Sequence, residues 1–588
     1  MCGIAGLSLR PGQVPAAAVL DALTGALAHR GPDGAGHHQS GNIALAHTRL
    51  SIIDLVTGDQ PLLAGPAALV ANGEVYNYRE LRRDNQLVCT TGSDCEPPLH
   101  LWRRDGVGFA DRLRGMYAIA IHDRAARRLV LARDPFGIKP LYLAEVAGGL
   151  AFASEPQALV AAGLVRPRVR REARDELLQI QFTTGAETIF EGIRRVLPGE
   201  TVVIADGAVV ERRRRAALPE GGPEEITEQA ALERLDAALT ESVALHQRSD
   251  VPYGLFLSGG IDSAAILAVM ARLNDRPVLA FTAGFDAPGA ADERAHAAEA
   301  ARAAGAEHHT VRIDEAMVWR HLPEIVAAMD DPAADYAIIP TWFLAREARR
   351  AVKVVLSGEG GDEMFGGYGR YRAAMRPWWL GGRAPRARGA FDRLDVLREP
   401  PRGWRDGIEA AEAACGAGGR TRLQGAQALD VADWLPNDLL TKLDRCLMAH
   451  GVEGRTPFLD PGVAAAAFRL PDALKVRSKG GRAAGKWLLR RWLEANFPAA
   501  RPFAPKQGFT VPIGAWIAGQ GDRLGPLVAA QPGVAEIARP DRVAALFRHA
   551  GEKHRAFAAW HLLFYALWHR RHVEGMPAEG DVFAALAA

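Results

Sequence analysis

Along residues 1–205 short apolar or alternating runs recur between Gly, Asp and Pro, a pattern expected of strands in packed sheets. NIALAH, AALVANGEVY, GMYAIAIHD, RRLVLARD, PLYLAE and GLAFAS read in this way. GMYAIAIHD and RRLVLARD lie a few polar residues apart, as in a hairpin. Helical stretches fall between the strands at 15–28 and 98–104. Beyond residue 228 the rhythm changes. Strand YGLFL precedes helix DSAAILAVMARL, and strand PVLAFTA precedes helix DERAHAAEAARAAG, with Gly305 as its stop. HHTVRI and AVKVVLSG are further strands. Strand–helix alternation with uninterrupted apolar strands predicts a parallel α/β sheet covered on both faces. Residues 429–570 read as mostly helical, and 376–428 carry no legible pattern.

Between these regions DGAVVERRRRAALPEGGPEEITEQ is charged and broken by Gly-Gly-Pro. It is read as a linker over 206–228, with ERRRR (211–215) as a solvated loop. The chain then divides into domains at 2–205 and 229–588. Its 588 residues exceed what one core can organise, which agrees with two or three domains.

A net charge of +2 gives no reason to expect nucleic acid or an anionic membrane as partner. Apolar runs such as HLLFYAL are far shorter than the roughly 20 residues of a membrane span. The start of the chain lacks the basic and apolar regions of a signal peptide. Five cysteines without C-x-x-C spacing argue against a disulfide framework and a zinc site, and fit a reducing cytoplasm. Nothing in the sequence fixes the oligomeric state, and a homodimer stays open.

Candidate chemistry appears first in LFLSGGIDS (255–263). A strand runs through Leu257 into Ser258, Gly259 and Gly260, and Asp262 and Ser263 open a helix. Glycines let backbone N–H groups approach an anion, the helix start adds positive potential, and the serines add hydroxyl donors. The Lys of a Walker loop is missing. The loop resembles those of the pyrophosphate-loop ATP-binding enzymes, which form an acyl-adenylate. In VVLSGEGGDEMFGGYGRY (354–371) a second strand reaches Ser357 and Gly358, followed by Glu359, Asp362 and Glu363. Such an acidic group suits Mg²⁺, which takes hard oxygen ligands and bridges carboxylate to phosphate. Asp262 and Asp362 each follow a parallel strand's C-terminal end, where α/β folds bind ligands, and they are the expected metal ligands.

In the first half, Cys2 follows the initiator Met. A small second residue lets that Met be trimmed, which would leave one residue with both a thiol and a free α-amine. With ordinary pKa values of about 8.5 and about 7.7–8, the amine can take the thiol proton directly or through water. HRGPDG, HTRLSIID, ANGEVYN and TGSDCE place polar groups at strand ends. Together these motifs resemble the class II glutamine amidotransferases, whose glutaminase half is an N-terminal-nucleophile hydrolase. LSGGIDS, SGEGGDE, LLTKLDRCLMAHGVEGRTPFLD, GRAAGKWLLR and PKQGFTVPIGAW extend the resemblance over nearly the whole chain, to the glutamine-hydrolysing asparagine synthetases.

That resemblance implies an αββα sandwich followed by a pyrophosphate-loop α/β domain with a helical C-terminal part. It implies glutamine, aspartate and ATP as substrates and Mg²⁺ as cofactor. Cys2 would attack glutamine. The Asn72 side chain and the Gly73 N–H would form the oxyanion hole. Arg49 would take the glutamine α-carboxylate, and Glu74 and Asp94 its α-ammonium. In the second half Lys486 would stabilise developing charge, and Glu359 would stand nearest the reacting carboxylate. A buried passage would carry ammonia between the sites.

The pattern departs from the family at PPLH after GSDCE, which bears on the helix entry behind Asp94. It departs again at HGVEGR (450–455), expected on the acceptor side. The alternatives are the same chemistry on another carboxylate, a glutaminase alone, and a non-catalytic binding protein. Intact SGGIDS and SGEGGDE oppose the second, and Cys2 with both acidic loops opposes the third. A β-lactam-synthetase-like cyclase would lack a working N-terminal Cys, and a sugar-phosphate transaminase would lack the pyrophosphate loop.

Overall fold

The computed structural model describes residues 2–286, 293–376, 379, 382, 386–416, 418–479, 482–505 and 511–587. Met1 and residues 506–510 of PKQGFTVPIGAW therefore lie outside the described residues.

The first half stacks two antiparallel sheets. In chain order its strands are β1 (Gly3–Leu9), β2 (Gly34–Ser40), β3 (Ile43–Arg49), β4 (Leu62–Ala64), β5 (Ala67–Val75), β6 (Gly115–Asp123), β7 (Arg128–Arg133), β8 (Tyr142–Val146), β9 (Gly149–Ala153), β10 (Ile193–Arg195), β11 (Glu200–Ala205) and β12 (Ala208–Arg214). One sheet runs β10-β8-β9-β1-β3-β2 and the other β12-β11-β7-β6-β5-β4. Ile4 packs between the sheets, whereas Ala5 and Leu7 pack outward with Leu20 and Leu23 of helix α1 (Ala17–Ala26). Across the stack, Ala118 and Ala120 face inward, and Ile119 and Ile121 pack with Leu99 and Trp102 of α2 (Glu96–Asp105). Both faces of the inner strands β1, β3 and β5–β7 are mostly buried, which is why they read as continuous apolar runs. The layering is the expected αββα sandwich.

The expected linker is corrected at its start. β12 pairs with β11 from Ala205–Ala208 to Glu200–Arg214, with an irregularity at Val203/Ile204. The run at 211–214 is thus an edge strand, with Arg212 bonded to Glu200 and Arg213 to Asp111. Charged side chains on an edge discourage further strand pairing. They also erase the alternation that would mark a strand.

Helix α3 (Arg171–Ile180) falls between β9 and β10 in the chain. In the second half, β13 (Tyr253–Phe256), β14 (Leu279–Phe285), β15 (Glu307–Ile313), β16 (Val354–Leu356) and β17 (Glu453–Arg455) form a parallel sheet, ordered β15-β14-β13-β16-β17. Helix α4 (Ile261–Leu273) follows β13, and α5 (Arg294–Ala303) ends just before Gly305, whose φ is +65°. After β16 come the short α6 (Gly361–Phe365) and α7 (Gly369–Met375). The remainder is mostly helical, with α8 (Leu440–Met448) after a π-helical stretch at Asp430–Leu439, and α9 (Lys553–His572) near the end. β13 connects onward to β14 on one side, while β16 lies on its other side. The loops after β13 and β16 therefore flank a topological switch point, the crevice where open α/β sheets bind ligands. Among the described residues no helix is long and apolar enough to cross a membrane.

Candidate active sites

The pairing of β1 with β3 positions the first centre. Gly3 opposes Thr48, so Cys2 lies beside Arg49 at the strand ends. The Cys2 backbone N–H donates to Asn72 Oδ1 at 3.2 Å, and its carbonyl accepts from Arg30 Nε at 3.2 Å. With Asn72 Oδ1 engaged, the buried Nδ2 has no partner and is a donor available to an oxyanion. Gly73 has φ +143°, and a Cβ there would stand 2.0 Å from the Met116 carbonyl oxygen. Only glycine lets β5 run this close to β6 while turning its backbone toward Cys2. Burial raises the Cys2 thiol pKa, and the positive charge at the amino terminus opposes that rise.

Glu74 and Asp94 form an acidic pair in the same pocket. Asp94 Oδ2 accepts from the Val75 N–H at 2.7 Å. Pro97 and Pro98 occupy the first turn of α2, so the departure at PPLH leaves Asp94 in place. Burial, with Asp94 and Glu453 adding to it, holds Glu74 well above the usual carboxylate range; burial also pushes Asp94 up to about 6. Two buried carboxylates that resist ionisation together are satisfied when a cation replaces the proton they share. Arg49 rests against Asp59, a side chain 81% exposed, and against the Asp54 carbonyl. Its guanidinium thus lies at the rim on a carboxylate that a ligand carboxylate can replace.

HGVEGR lies at the junction of the two centres. It forms β17, at the edge of the second sheet, and closes the first centre from behind. Arg455 Nη2 stands 3.4 Å from Glu74 Oε1, and Arg455 Nε donates to Glu453 at 2.5 Å. Against the upward push of burial, the amino terminus and Arg455 bring Glu453 down to about 2. Lys139, fully buried, reaches the Gly454 carbonyl at 3.4 Å. Arg30 donates to Glu155 and, through both terminal nitrogens, to Asp444 of α8. None of Arg30, Lys139, Glu453, Arg455 and Asp444 was singled out from sequence. Apart from Glu453 with Arg455, they join segments more than a hundred residues apart, and local pattern carries no signal for such contacts.

The second centre sits at the switch point. Ser258 and Ser263 hydroxyls are 3.1 Å apart, the Gly260 N–H donates to Ser258 Oγ at 3.1 Å, and the Gly259 N–H donates to Glu293 Oε2 at 3.1 Å. A carboxylate thus rests on the loop's backbone, which shows that the loop accepts an anion. Leu257 is buried and leads β13 into this loop; Ser357, after β16, donates its N–H to the Arg455 carbonyl at 2.8 Å. Lys486 lies between the two loops, with Nζ 2.5 Å from Asp262 Oδ2 and 2.8 Å from Asp362 Oδ1. Gly367 permits this convergence: a Cβ there would fall 1.8 Å from Asp362 Oδ1 and 2.1 Å from Lys486 Cε. Gly358 packs against the start of α4, where a Cβ would stand 3.0 Å from Asp262 Cβ. Two carboxylates converging on one cationic group, beside an anion loop, fit the donor set Mg²⁺ prefers.

Glu359 is one-quarter exposed and lies 3.5 Å from Lys442 Nζ, which also holds Asp335 at 3.2 Å. Glu363 does not join the acidic group. It is 1% exposed, accepts from Tyr368 Oη at 2.8 Å, and is pushed up to about 8 by burial and by Asp362. It is a core residue. Glu293 and Lys442 are additions the sequence reading missed.

Two family models match the chain: a glutamine amidotransferase domain over residues 1–214 and asparagine synthase over residues 234–570. A putative glutamine-hydrolysing asparagine synthetase of Mycobacterium tuberculosis is 35% identical, and the match covers 98% of each chain. Asparagine synthetase 1 of Bacillus subtilis is 32% identical over 94% of each. Asparagine synthetase B of Escherichia coli is 29% identical, covering 84% of this chain and 79% of the other. The Asn72–Gly73 corner at Cys2 and the Asp262–Lys486–Asp362 group at the anion loop thus lie in two separately matched regions, and the chain belongs to the asparagine synthase family, with a glutamine amidotransferase domain at its amino end.

Proposed function

We propose that the protein is a glutamine-hydrolysing, ATP-consuming ligase that converts aspartate to asparagine. The observation that carries this reading is the convergence of Asp262, Lys486 and Asp362 on an anion loop, in one chain with a buried Cys2 beside the unpartnered Asn72 Nδ2. After removal of Met1, the α-amine of Cys2 takes the thiol proton and the thiolate attacks the glutamine side-chain amide. The oxyanion that forms is met by Asn72 Nδ2 and the Gly73 N–H. Ammonia leaves, and water releases glutamate from the thioester. Arg49 orients the glutamine α-carboxylate, and Glu74 with Asp94 takes its α-ammonium.

In the second centre the Ser258–Ser263 loop with Ser357 and Gly358 cradles the ATP phosphates. An aspartate β-carboxylate oxygen attacks the α-phosphorus, and pyrophosphate leaves. Asp262 and Asp362 would hold Mg²⁺, which supplies neutralisation of phosphate charge when bound. Lys486 stabilises the charge that builds on the phosphates, and Glu359 faces the acyl group that ammonia attacks. Ammonia displaces AMP and gives the amide. The substrates are small molecules, and the cytoplasm, where ATP and reduced thiols are available, is the proposed location. The test is to supply ATP, magnesium, glutamine and aspartate and measure asparagine, AMP and pyrophosphate in equal amounts; glutamate without AMP would reduce the protein to a glutaminase.

Two further expectations concern the first centre. Protonation of Asp94 removes the charge that attracts the α-ammonium. The kcat/KM for glutamine should therefore fall as pH drops below about 6. Asp94→Asn should lower the plateau and flatten this acid limb, and an unchanged limb would assign it to another group. Arg455→Met should raise the KM for glutamine by roughly tenfold or more although Arg455 belongs to the second matched region, because it leaves Glu74 without its buried partner. Equal KM values in the two proteins would remove Arg455 from the pocket.

A further inference from the structure

A cavity of about 670 Å³ is lined by Gln181, Arg370, Arg386, Trp434 and His561, among others. This lies within the range that drug-sized ligands fill, well beyond the needs of a four-carbon amino acid. One wall comes from the first domain: Gln181, just after α3, lines the cavity and donates to Asp438 Oδ2 at 2.8 Å. One helical turn further on is Lys442, the lysine that holds Glu359. The opposite wall carries Arg370 of α7, which lies 3.7 Å over the ring of Tyr368, a few residues past Asp362. The cavity wall is thus linked to Glu359 through Asp438 and Lys442.

Its lining sets four arginines against one carboxylate, Asp392, with buried groups left open. Arg370 and Arg386 share one carboxylate, Asp430, at 2.8 and 3.0 Å. Arg386 Nη1 is buried and has no partner, on a side chain 9% exposed, and the Trp434 Nε1 donor beneath it is also unpartnered. Arg388 and Arg393 stand at the rim. Among the described residues neither has a carboxylate within ion-pair distance. On the far side, His561 is 2% exposed and donates from Nδ1 to the Leu178 carbonyl at 2.8 Å. That bond fixes the tautomer and makes the buried, unpartnered Nε2 an acceptor. Buried polar groups without partners cost free energy, so several lining one cavity mark where a ligand completes them.

We infer that the acceptor side takes an acid longer than aspartate: an aspartyl unit whose tail carries a second carboxylate to Arg386 and the rim arginines and an N–H to His561 Nε2. N-acylated aspartates and aspartyl dipeptides belong to this class. This rests on the ligase reading above and leaves its steps unchanged: the near carboxylate displaces pyrophosphate from ATP, and ammonia then displaces AMP, giving one amide per ATP.

The experiment supplies ATP, magnesium and ammonium to the full chain with aspartate, N-succinyl-aspartate or aspartyl-glutamate, and follows AMP and the mass of the amide. An extended acid should exceed aspartate in kcat/KM by about tenfold, the worth of one charge-assisted pair. Arg388→Gln with Arg393→Gln at the exposed rim, and separately Arg386→Lys, should each raise the extended acid's KM several-fold, with thermal unfolding as the check on folding. Amidation of aspartate while every extended acid stays inert would overturn the inference, as would rim and Arg386 variants with unaltered KM. AMP from no acid at all, aspartate included, would instead overturn the ligase reading and this inference with it.

Discussion

Replacing Cys2 with alanine is expected to abolish glutamine-dependent asparagine formation while synthesis from added ammonium continues. The thiol is the proposed atom that breaks the amide; the pocket's other buried thiol, Cys95, is turned to the Gly73 carbonyl and Asp94. Loss of a nucleophile from a group acting as a unit removes nearly all catalysis, here at least about three orders of magnitude. The second centre does not use the sulfur. Its anion loop, Lys486 and the two aspartates are held by β13, β16 and Gly367, at a distance from β1. The small change at Cys2 leaves the main-chain bonds to Asn72 Oδ1 and from Arg30 available. Ammonium therefore restores the product by entering at the acyl-adenylate. Steady-state asparagine formation with each nitrogen source measures this directly. Loss of both activities in a folded variant would mean that the centres are not separable, and intact glutaminase activity would mean that Cys2 is not the nucleophile.

The parts of the protein that were legible beforehand are those whose chemistry is local. A strand, two glycines and a helix start lie within nine residues at 255–263, so an anion loop there can be read without the rest of the fold. β6 and β7 announce their hairpin through apolar runs a few residues apart. What escaped was long-range or masked by charge. Arg30 meets Asp444 across 414 positions; Lys486 and Asp262 were each named, but their contact spans 224. No window of the sequence contains either pair. β12 escaped because its arginines belong to an edge that need not bury a face. β17 has only three residues, too few for any period to show, yet it carries Arg455 to Glu74 and presents its carbonyl to Ser357. The same short strand therefore touches both centres. Position 453–455 reads as an anomaly in an acceptor motif until the sheet order places it at the junction.

Asp362→Asn should stop AMP and pyrophosphate release with either nitrogen source, while glutamine hydrolysis persists. The substitution keeps the shape of the side chain and removes its charge. Lys486 would then answer to Asp262 alone at 2.5 Å, and only one carboxylate would remain for a divalent cation that needs hard, charged oxygen ligands. Phosphoryl chemistry of this kind depends on positioning and on neutralising charge as it builds on the phosphates. Losing one preorganised charge in such a site costs about two to three orders of magnitude in rate. Glutaminase activity should survive because Asp362 lies on α6, after β16, where its carboxylate meets Lys486 of the second centre. The two readouts separate the explanations: a folding defect lowers both activities, whereas a local loss lowers AMP alone. Raising the magnesium concentration adds a third discriminator. If Asp362 holds the metal, saturation should need more magnesium in the variant; if it only orients Lys486, the magnesium dependence should match that of the parent while the rate stays low.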